Sequence, residues 1–330
     1  MEKRKRKLLT GVAAVSAGAA AMGTGICLMA KKLIDIAMDR DGVKPSPNSE
    51  KVRNKLCGFS NEDGFIDKLE EGAVKLAAVE TELVETTSQD GTRLTGHLYA
   101  CKYPKRLIIA VHGWRSTWNR DFGLAADFWF ENNCNVLFIE QRCQGESGGE
   151  YIGFGLLERY DCKAWTEWAH ERYEGKLPIY LDGVSMGATT VLMASGLGLP
   201  ESVHGIIADC GFTSPYAIWK HVAENHMHLK YGPIKGVADA ICRQKIQMVS
   251  DEHSTVDALK ENKIPVLFAH GTDDPFVPVE MTYENYKACK APKRLVIVPG
   301  AAHGLSFYVE KERYAEELLK FWNDFDKTTV

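Results

Sequence analysis

A series of short apolar runs, separated by segments of helical length, constrains the fold of this chain more than any other feature. The runs are Leu107–Val111, Val136–Ile139, Ile179–Leu181, Val203–Ala208, Val266–Ala269 and Leu295–Val298. Continuous apolar runs of this length are typical of strands that are buried on both faces of a sheet. The segments between them have the length and periodicity of helices, and they are Asp121–Glu131, Leu156–Glu171, Ala188–Leu197, Val279–Cys289 and Lys311–Phe325.

The chain ahead of these runs predicts a hairpin. Leu83–Thr87 and Thr92–Ala100 flank Gln89-Asp90-Gly91, and an Asp-Gly pair is typical of a tight turn. Alternation of strands and helices after an antiparallel hairpin predicts an α/β fold with a mostly parallel, doubly wound sheet. Residues 211–261 interrupt the alternation, and we expect them to form a short helical lid inserted into this domain.

Length and composition exclude several classes of protein. The 330 residues fit one large domain with an appendage, because an average domain has roughly 150 residues. With 45% hydrophobic and 25% charged residues, the chain is neither disordered nor a multi-span membrane protein. The net charge of −4 gives no basic excess, so we expect no nucleic-acid partner. The nine cysteines form no Cys-x-x-Cys pair, so we expect buried free thiols rather than structural zinc or a disulfide scaffold.

The N-terminus predicts a membrane anchor. Lys3 to Lys7 are all cationic, and they precede an uncharged stretch of 23 residues, Leu8–Ala30, which Lys31 and Lys32 close. At about 1.5 Å per residue, a helix of this length crosses a hydrocarbon core of roughly 30 Å. The excess of positive charge before the stretch places Met1 in the cytoplasm. We therefore expect a single-pass cell-membrane protein with an extracytoplasmic catalytic domain, and a cleaved signal peptide is the alternative.

The remaining domain boundaries follow from composition. Residues 1–38 would hold the cationic N-terminus and the membrane helix, and the polar, proline-containing residues 39–49 look like a linker. Residues 50–330 would form the folded domain with the lid at about 211–261. The oligomeric state does not follow from these patterns.

A serine in a Gly-x-Ser-x-Gly motif is the candidate nucleophile. The apolar run Ile179–Leu181 leads into Gly183-Val184-Ser185-Met186-Gly187, and helix-forming residues follow at once. A serine at such a strand-to-helix turn is held in strained backbone geometry, with its hydroxyl projecting near the positive end of a helix. The alternative is a Gly/Ser turn with no chemistry.

A serine hydroxyl is a weak nucleophile, so it needs a base, which in turn needs an acid to orient it. His303 follows the last apolar run within Gly300-Ala301-Ala302-His303-Gly304, and it is the candidate base. The run Val266–Ala269 leads to Asp273 and Asp274, which supply candidates for the acid. The resulting order along the chain, Ser, Asp, His, is one that this architecture uses.

From about Leu83 to Phe325 the sequence resembles the α/β-hydrolase superfamily. It is most similar to bacterial members related to serine aminopeptidases and to lysophospholipase-like and monoglyceride-lipase-like hydrolases. The matching motifs are His112-Gly113-Trp114, Gly183-Val184-Ser185-Met186-Gly187, Ala208-Asp209-Cys210-Gly211-Phe212, His270-Gly271-Thr272-Asp273-Asp274-Pro275-Phe276-Val277-Pro278 and Ala302-His303-Gly304. The resemblance implies that Asp274 is the acid, while Asp273 and, less readily, Asp209 remain alternatives.

The oxyanion of a tetrahedral intermediate needs two hydrogen-bond donors. One should be the backbone N–H of Met186, which follows the nucleophile. The resemblance implies that the second donor is the backbone N–H of Trp114, with Arg115 or Ser116 as alternatives. One segment departs from the family pattern, because Glu140 stands where many relatives have Asp and Cys143 where they have Gly. We interpret this segment as loop packing beside the site.

We expect neither a cofactor nor a metal. No phosphate-binding Gly-rich motif follows a strand, and His221, His226 and His228 lack the accompanying motif of a zinc site. The sequence therefore predicts a serine hydrolase that cleaves a carboxylic ester or thioester of an apolar small molecule through an acyl-enzyme intermediate. One alternative is an aminopeptidase, whose acidic residues for a substrate amine would be Glu224, Asp239, Asp251 and Glu252. The other is a non-catalytic binding module with a hydrolase-like fold.

Overall fold

The computed structural model describes residues 24–25, 27–43, 46–59 and 64–326. The eight strands of the sheet have the spatial order β1-β2-β4-β3-β5-β6-β7-β8. They are β1 (Glu82–Thr87), β2 (Arg93–Tyr99), β3 (Arg106–Val111), β4 (Cys134–Glu140), β5 (Ile179–Val184), β6 (Val203–Asp209), β7 (Val266–Gly271) and β8 (Lys293–Val298). The prediction of a mostly parallel sheet with an N-terminal antiparallel hairpin is confirmed.

The strand pairing follows from the connections. The tight turn at Asp90-Gly91 makes β1 and β2 antiparallel, with Glu82 opposite Leu98 and Thr87 opposite Arg93. Strand β2 is also antiparallel to β4, and every later pair is parallel because a helix crosses between the strands. The carboxyl ends of β5, β7 and β8 therefore lie at the same edge of the sheet.

Helices cover both faces of the sheet, as expected for a doubly wound fold. One face packs on α6 (Glu158–Arg172), α7 (Met186–Ala194), α10 (Thr255–Glu261) and α11 (Val279–Ala288). The other face packs on α3 (Phe65–Ala77), α4 (Trp118–Phe122), α5 (Ala126–Glu131), α12 (Ser306–Val309) and α13 (Lys311–Phe325). Strand β4 is buried along its whole length between these two layers, in agreement with its apolar run Val136–Ile139.

The single helix predicted over Asp121–Glu131 is wrong, since α4 and α5 are separate. Gly123, between them, lies against the backbone of Gly72 in α3, and a Cβ on Gly123 would stand 2.5 Å from the Gly72 carbonyl carbon. The chain turns at this close contact, which depends on two distant glycines and is invisible in the local pattern.

The predicted lid contains a helical pair, α8 (Pro215–His221) and α9 (Gly232–Ile246), with a π-helical turn, Val222–His226, after α8. These elements bury an apolar cluster that includes Phe154, Phe212 and Ile218. The boundary at residue 261 needs correction, because Leu259 of α10 is buried in the main core beneath the sheet. Helix α10 thus belongs to the body of the domain.

A helix over residues 27–38, α1, packs on the lid rather than standing apart. Ala30, Ile34 and Met38 are buried against the lid cluster. The Met38 sulfur is 3.6 Å from Sγ of Cys242 in α9. The described residues of the predicted linker also contact the domain, since Asp39 forms a β-bridge with Tyr151. Residues 39–43 are therefore part of the domain surface, and α2 (Pro47–Leu56) follows directly.

The predicted membrane span, Leu8–Ala30, lies almost entirely outside the described residues. Within the part of the chain that the structure describes, no helix combines the length and hydropathy needed to cross a bilayer. At the end of the predicted span, Cys27 and Leu28 are exposed, whereas Ala30 is buried against the domain.

Candidate active site

Ser185 lies at the sharp turn between β5 and α7. Its backbone angles, φ 57° and ψ −119°, are strained for a non-glycine residue. The turn requires Gly187, because a Cβ at this position would stand 1.8 Å from the Val111 carbonyl oxygen. The Ser185 N–H donates to the Asp209 carbonyl oxygen at 2.9 Å, which ties the turn to the neighbouring strand. The sequence motif thus produces the sharp strand-to-helix turn expected of a nucleophilic serine.

Three of the predicted residues form one hydrogen-bonded chain. His303 Nδ1 lies 2.7 Å from Oδ2 of Asp274, and His303 Nε2 lies 2.9 Å from Oγ of Ser185. Because a carboxylate only accepts, Nδ1 carries the imidazole proton, and Nε2 of the neutral ring accepts from the Ser185 hydroxyl. The chain can therefore pass the serine proton to His303.

Asp274 is held by four donors. Its Oδ1 accepts the backbone N–H groups of Phe276 and Val277, each at 2.9 Å. Its Oδ2 accepts from His303 and also from Nε2 of His270 at 3.1 Å. Burial by itself would raise the pKa of Asp274, but the nearby histidines and these hydrogen bonds hold the pKa well below its ordinary value. Asp274 therefore stays ionised beside His303.

The rival carboxylates lie elsewhere. Asp273 is exposed, and its Oδ1 accepts the Thr272 hydroxyl at 2.7 Å. Asp209 is buried, but its Oδ1 accepts the Ser306 hydroxyl at 2.8 Å. Of the three candidate acids, the structure brings Asp274 to His303.

The electrostatics of His303 favour its charged form. Burial lowers the pKa of this imidazole, but the Asp274 carboxylate outweighs burial, so the pKa is raised above the ordinary value for histidine. An imidazolium that forms after proton transfer is stabilised in the same way.

The loop after β3 reaches the site through Gly113 and Trp114. The Gly113 N–H donates to Oδ2 of Asp121 at 2.7 Å, and the Ser116 N–H contacts the Gly113 carbonyl oxygen at 3.4 Å. These contacts occupy the N–H groups of Gly113 and Ser116. Trp114, which lies between these two residues in the sequence, lines the same pocket as Ser185. Met186, the other predicted donor, is the first residue of α7 and is fully buried.

His112 braces this loop rather than entering the chain of proton transfer. The Gln141 N–H donates to His112 Nε2 at 3.2 Å, so Nδ1 carries the proton and donates to the Gly113 carbonyl oxygen at 2.8 Å. The Gln141 side chain also bonds the His112 carbonyl oxygen. Cys143, further along the same segment, is buried in the lid cluster at φ 65°. The segment that departs from the family pattern thus packs around the loop beside the site.

The N-terminal helix holds the same loop from the other side. The guanidinium of Arg115 donates to the carbonyl oxygens of Ile36, Asp39 and Arg40 at 2.5 to 3.2 Å. The Trp114 Nε1 donates to the Ala37 carbonyl oxygen at 2.9 Å. Because Arg115 has a φ of 50°, which is costly for a side-chain-bearing residue, these bonds help to fix the loop conformation.

Two further groups lie near the site, namely two histidines of the lid and the thiol of Cys210. His226 Nε2 contacts the Pro275 carbonyl oxygen at 2.8 Å, and the His221 and His226 rings are 5.5 Å apart. The Cys210 thiol, with its polar atom within 4.8 Å of those of Asp274 and His303, is buried beneath the hydrogen-bonded chain. Burial raises the pKa of Cys210 well above its ordinary value, so the thiol stays protonated.

A pocket opens at Ser185 and His303. It is lined by an apolar set from several elements, namely Leu56, Phe59, Leu69, Val184, Phe276 and Leu305. Arg53 of α2 and Arg120 of α4 line the same pocket. Sequence reasoning missed both arginines, because neither lies in a motif.

Known proteins resemble this chain in sequence and in fold. A family model described as "Serine aminopeptidase, S33" matches residues 102–228. The esterase Pf2001 of Pyrococcus furiosus has a TM-score of 0.58 at 23% identity, over 77% of this chain and 96% of that chain. The chain therefore has the fold of the α/β hydrolases, and its residues 102–228 are similar to the serine aminopeptidase family.

Bacterial relatives of this chain match over 59 to 73% of its length. The uncharacterized protein YqkD of Bacillus subtilis is 26% identical over 199 residues, which cover 59% of this chain and 64% of YqkD. The uncharacterized protein YfhR of Escherichia coli K12 is 26% identical over 248 residues, or 73% of this chain and 80% of YfhR. The chain thus spans less than two thirds of the length of YqkD.

One more residue of the site could have been found from the sequence. His270 lies in the same motif as Asp274, and its Nε2 donates to both Asp274 and the Val277 carbonyl oxygen. The Thr282 hydroxyl, 2.7 Å from Nδ1, fixes the tautomer of His270. His270 therefore helps to hold the acid in place, at the same carboxylate oxygen that His303 contacts.

Proposed function

We propose that the protein is a serine hydrolase that cleaves a carboxylic ester or thioester through an acyl-enzyme intermediate. The observation that carries this proposal is the hydrogen-bonded chain from Ser185 through His303 to Asp274. His303 accepts the proton of Ser185 as the serine oxygen attacks the acyl carbon. His303 then gives that proton to the leaving alcohol or thiol. Water, activated by the same imidazole, releases the acid and restores Ser185.

The oxyanion would form between the backbone N–H groups of Met186 and Trp114. Met186 begins α7, so its N–H lies at the positive end of that helix. Trp114 lies in the pocket beside Ser185, while the N–H of its neighbour Gly113 is already occupied by Asp121. Removing one such donor typically costs about 3 kcal/mol in the transition state.

An ester is favoured over a peptide with a free amino terminus. The description of the matching family model supports the peptidase, which must bind a substrate ammonium group through acidic side chains. Among the acidic residues suggested for that role, Asp239 and Asp251 both pair with Lys235, at 2.5 and 3.1 Å. The described pocket is lined by apolar side chains and by Arg53 and Arg120, which would repel an ammonium group. Its carboxylate, Asp121, already accepts hydrogen bonds from Gly113 and Ser116.

A substrate panel tests this assignment. The purified protein would be assayed with p-nitrophenyl esters from acetate to palmitate and with aminoacyl-p-nitroanilides. We expect saturable hydrolysis of at least one ester, with kcat/KM at least about 100-fold above that of any anilide. Faster cleavage of the anilides would replace the esterase with the peptidase. A failure to cleave either class would favour a binding module that uses the hydrolase fold without its chemistry.

We also propose that Leu8–Ala30 tethers the chain to the cell membrane, with the catalytic domain outside the cytoplasm. The positive charges that precede this stretch support the orientation. Protease treatment of intact cells should then remove the domain, and carbonate extraction should leave the full chain in the membrane fraction. A domain that resists the protease but stays in the membrane would reverse the orientation, and one that washes off would remove the tether.

A further inference from the structure

The pocket at Ser185 contains two arginines, and the proposed reaction uses neither. Arg53 comes from α2 and Arg120 from α4, and both line the pocket with Ser185 and His303. Their side chains are 26% and 16% exposed, so each guanidinium is largely withdrawn from bulk water. Charged side chains are costly to bury unless they meet a partner, so the partners of these two groups need to be identified.

One carboxylate serves both arginines. Oε1 of Glu50 lies 3.3 Å from Nη2 of Arg53 and 3.1 Å from Nη1 of Arg120. The remaining side-chain contact of Arg120 is long, at 3.5 Å to Oδ1 of Asn54. Within the described residues, the guanidinium of Arg53 makes one side-chain hydrogen bond, and its partner is Glu50. A guanidinium has five N–H donors, so most of those on Arg53 are available to a ligand.

The carboxylate that lines the pocket, Asp121, is hydrogen-bonded to the loop after β3. Its Oδ2 accepts the Gly113 N–H at 2.7 Å, and its Oδ1 accepts the Ser116 hydroxyl. Burial and the positive charge of Arg120 lower the pKa of Arg53, while Asp121 and Glu50 offset part of this effect. Because an arginine remains protonated in proteins, the two guanidiniums keep like charges close together. An anion between them would relieve that repulsion.

We propose that Arg53 and Arg120 bind an anionic group of the substrate, a carboxylate or a phosphate, in the pocket where Ser185 attacks. This inference rests on the proposed ester hydrolysis and names its substrate class as acidic esters. Guanidinium groups recognise both carboxylate and phosphate through paired N–H donors. Leu56, Phe59 and Leu69 line the pocket beside the arginines, so the same ligand would carry an apolar part.

Glu50 is the group that the ligand would displace. Its side chain is 42% exposed, so the carboxylate can turn into water when a ligand anion takes its place. In the unliganded protein Glu50 then neutralises part of the charge of the two arginines. A purely structural role for the arginines would instead require Glu50 to remain between α2 and α4.

Two matched pairs of esters test the proposal. For a carboxylate, mono-p-nitrophenyl glutarate is compared with p-nitrophenyl valerate. For a phosphate, 1-oleoyl lysophosphatidic acid is compared with 1-monooleoylglycerol. In wild-type protein we expect the anionic member of one pair to have a kcat/KM about 10- to 100-fold higher than that of the neutral member. Hydrogen bonds between charged groups typically contribute a free energy of this size. The preferred pair identifies which anion the site takes.

Substitutions then test which residues cause the preference for the anionic ester. Arg53→Gln and Arg120→Gln should each remove most of it through a higher KM for the anionic ester, while kcat/KM for the neutral ester stays within about twofold. Glu50→Gln should strengthen the preference, because it removes the competing carboxylate. Lys55→Gln is the matched control, since Lys55 is exposed on the same helix and carries the same charge. It should leave the preference unchanged.

The outcomes are separable. Equal hydrolysis of the anionic and neutral members by wild-type protein overturns this inference and leaves the ester hydrolase intact. The inference is also overturned if Arg53→Gln and Arg120→Gln lower kcat/KM equally for both members and Glu50→Gln weakens the preference. The three residues would then have a structural role. Hydrolysis of no member contradicts the proposed function itself.

Discussion

Two groups of residues meet at the pocket, and the fold holds them in different ways. Ser185, Asp274 and His303 follow the parallel strands β5, β7 and β8, so the backbone of the sheet sets their positions. The opposite wall comes from α2 and α4, which Arg120 and Glu50 join by an ion pair near the surface. A reaction centre positioned by the backbone of the sheet therefore faces a wall formed by side chains of two helices.

This difference separates two kinds of mutational effect. Changes at the strand ends should remove hydrolysis of every substrate, because every substrate uses the same proton transfer. Changes in the wall should alter the choice of substrate and leave the chemical step intact.

The largest losses should follow substitution of the nucleophile or the base. Ser185→Ala and His303→Ala should each lower kcat by about 10⁶, and the double variant should be hardly worse, because the residues act as a unit. The measurement is kcat for the best p-nitrophenyl ester, with thermal unfolding as the control for folding. Turnover near the wild-type value in Ser185→Ala would remove this serine from the mechanism.

The adjacent aspartates should behave very differently. Asp274→Asn should lower kcat by roughly 10⁴, because the acid that orients His303 is lost. Asp273→Asn is the matched control, since Asp273 is exposed and contacts Thr272, and its kcat should stay within about threefold of wild type. If the two losses were exchanged, the acid would be Asp273, whereas a loss confined to Asp209→Asn would move it to the end of β6.

A smaller loss should follow when the loop after β3 is released from α1. Arg115→Ala removes the bonds to the carbonyl oxygens of Ile36, Asp39 and Arg40. We expect kcat to fall by about 10- to 100-fold with little change in KM, below the roughly 10²- to 10³-fold cost of deleting an oxyanion donor. Arg115→Lys should recover part of this loss. An unchanged kcat in Arg115→Ala would separate the loop from transition-state stabilisation.

The pH dependence gives the smallest of these effects. Burial lowers the pKa of His303, but Asp274 raises it more strongly, so the pKa of the free enzyme lies above the ordinary value. Because the neutral imidazole is the base, kcat/KM should fall as the pH drops through this raised pKa. The acid limb should therefore have its midpoint above about pH 6.5, the ordinary pKa of histidine. Full activity at pH 5 would contradict the assigned role of His303.

The strand-end residues could be predicted because a short local pattern fixes each of them. The apolar run that leads into Gly183-Val184-Ser185 defines a strand and the turn that follows it. The backbone geometry of this turn fixes the direction of the Ser185 side chain. His303 follows the last strand in the same way. Parallel pairing then brings the two residues together from opposite ends of a long stretch of sequence.

The choice between Asp273 and Asp274 could not come from spacing. It depends on how the turn after β7 folds, and there the N–H groups of Phe276 and Val277 converge on one carboxylate. The family resemblance supplied Asp274 as the acid, and the hydrogen bonds explain how this turn directs Asp274 inward.

The wall of the pocket could not be predicted because its residues lie outside any motif. Arg53 belongs to α2, a polar helix whose sequence resembles a solvated surface helix. It reaches the pocket because α2 lies beside α4, where Glu50 contacts Arg120, 70 residues away along the chain. The packing of α1 on the lid was missed for a related reason, since Ala30 was assigned to the membrane segment and Ile34 and Met38 lie outside any motif.

The most direct test of the account is covalent labelling with a fluorophosphonate, which reacts with a serine only when its hydroxyl is activated. Intact-protein mass spectrometry of the wild-type protein should show a single adduct, and peptide mapping should place it on Ser185. Asp273→Asn should label at the wild-type rate, His303→Ala far more slowly, and Ser185→Ala not at all. A wild-type protein that stays unlabelled, or an equal adduct in Ser185→Ala, would contradict the claim that Ser185 is the nucleophile of a hydrolase.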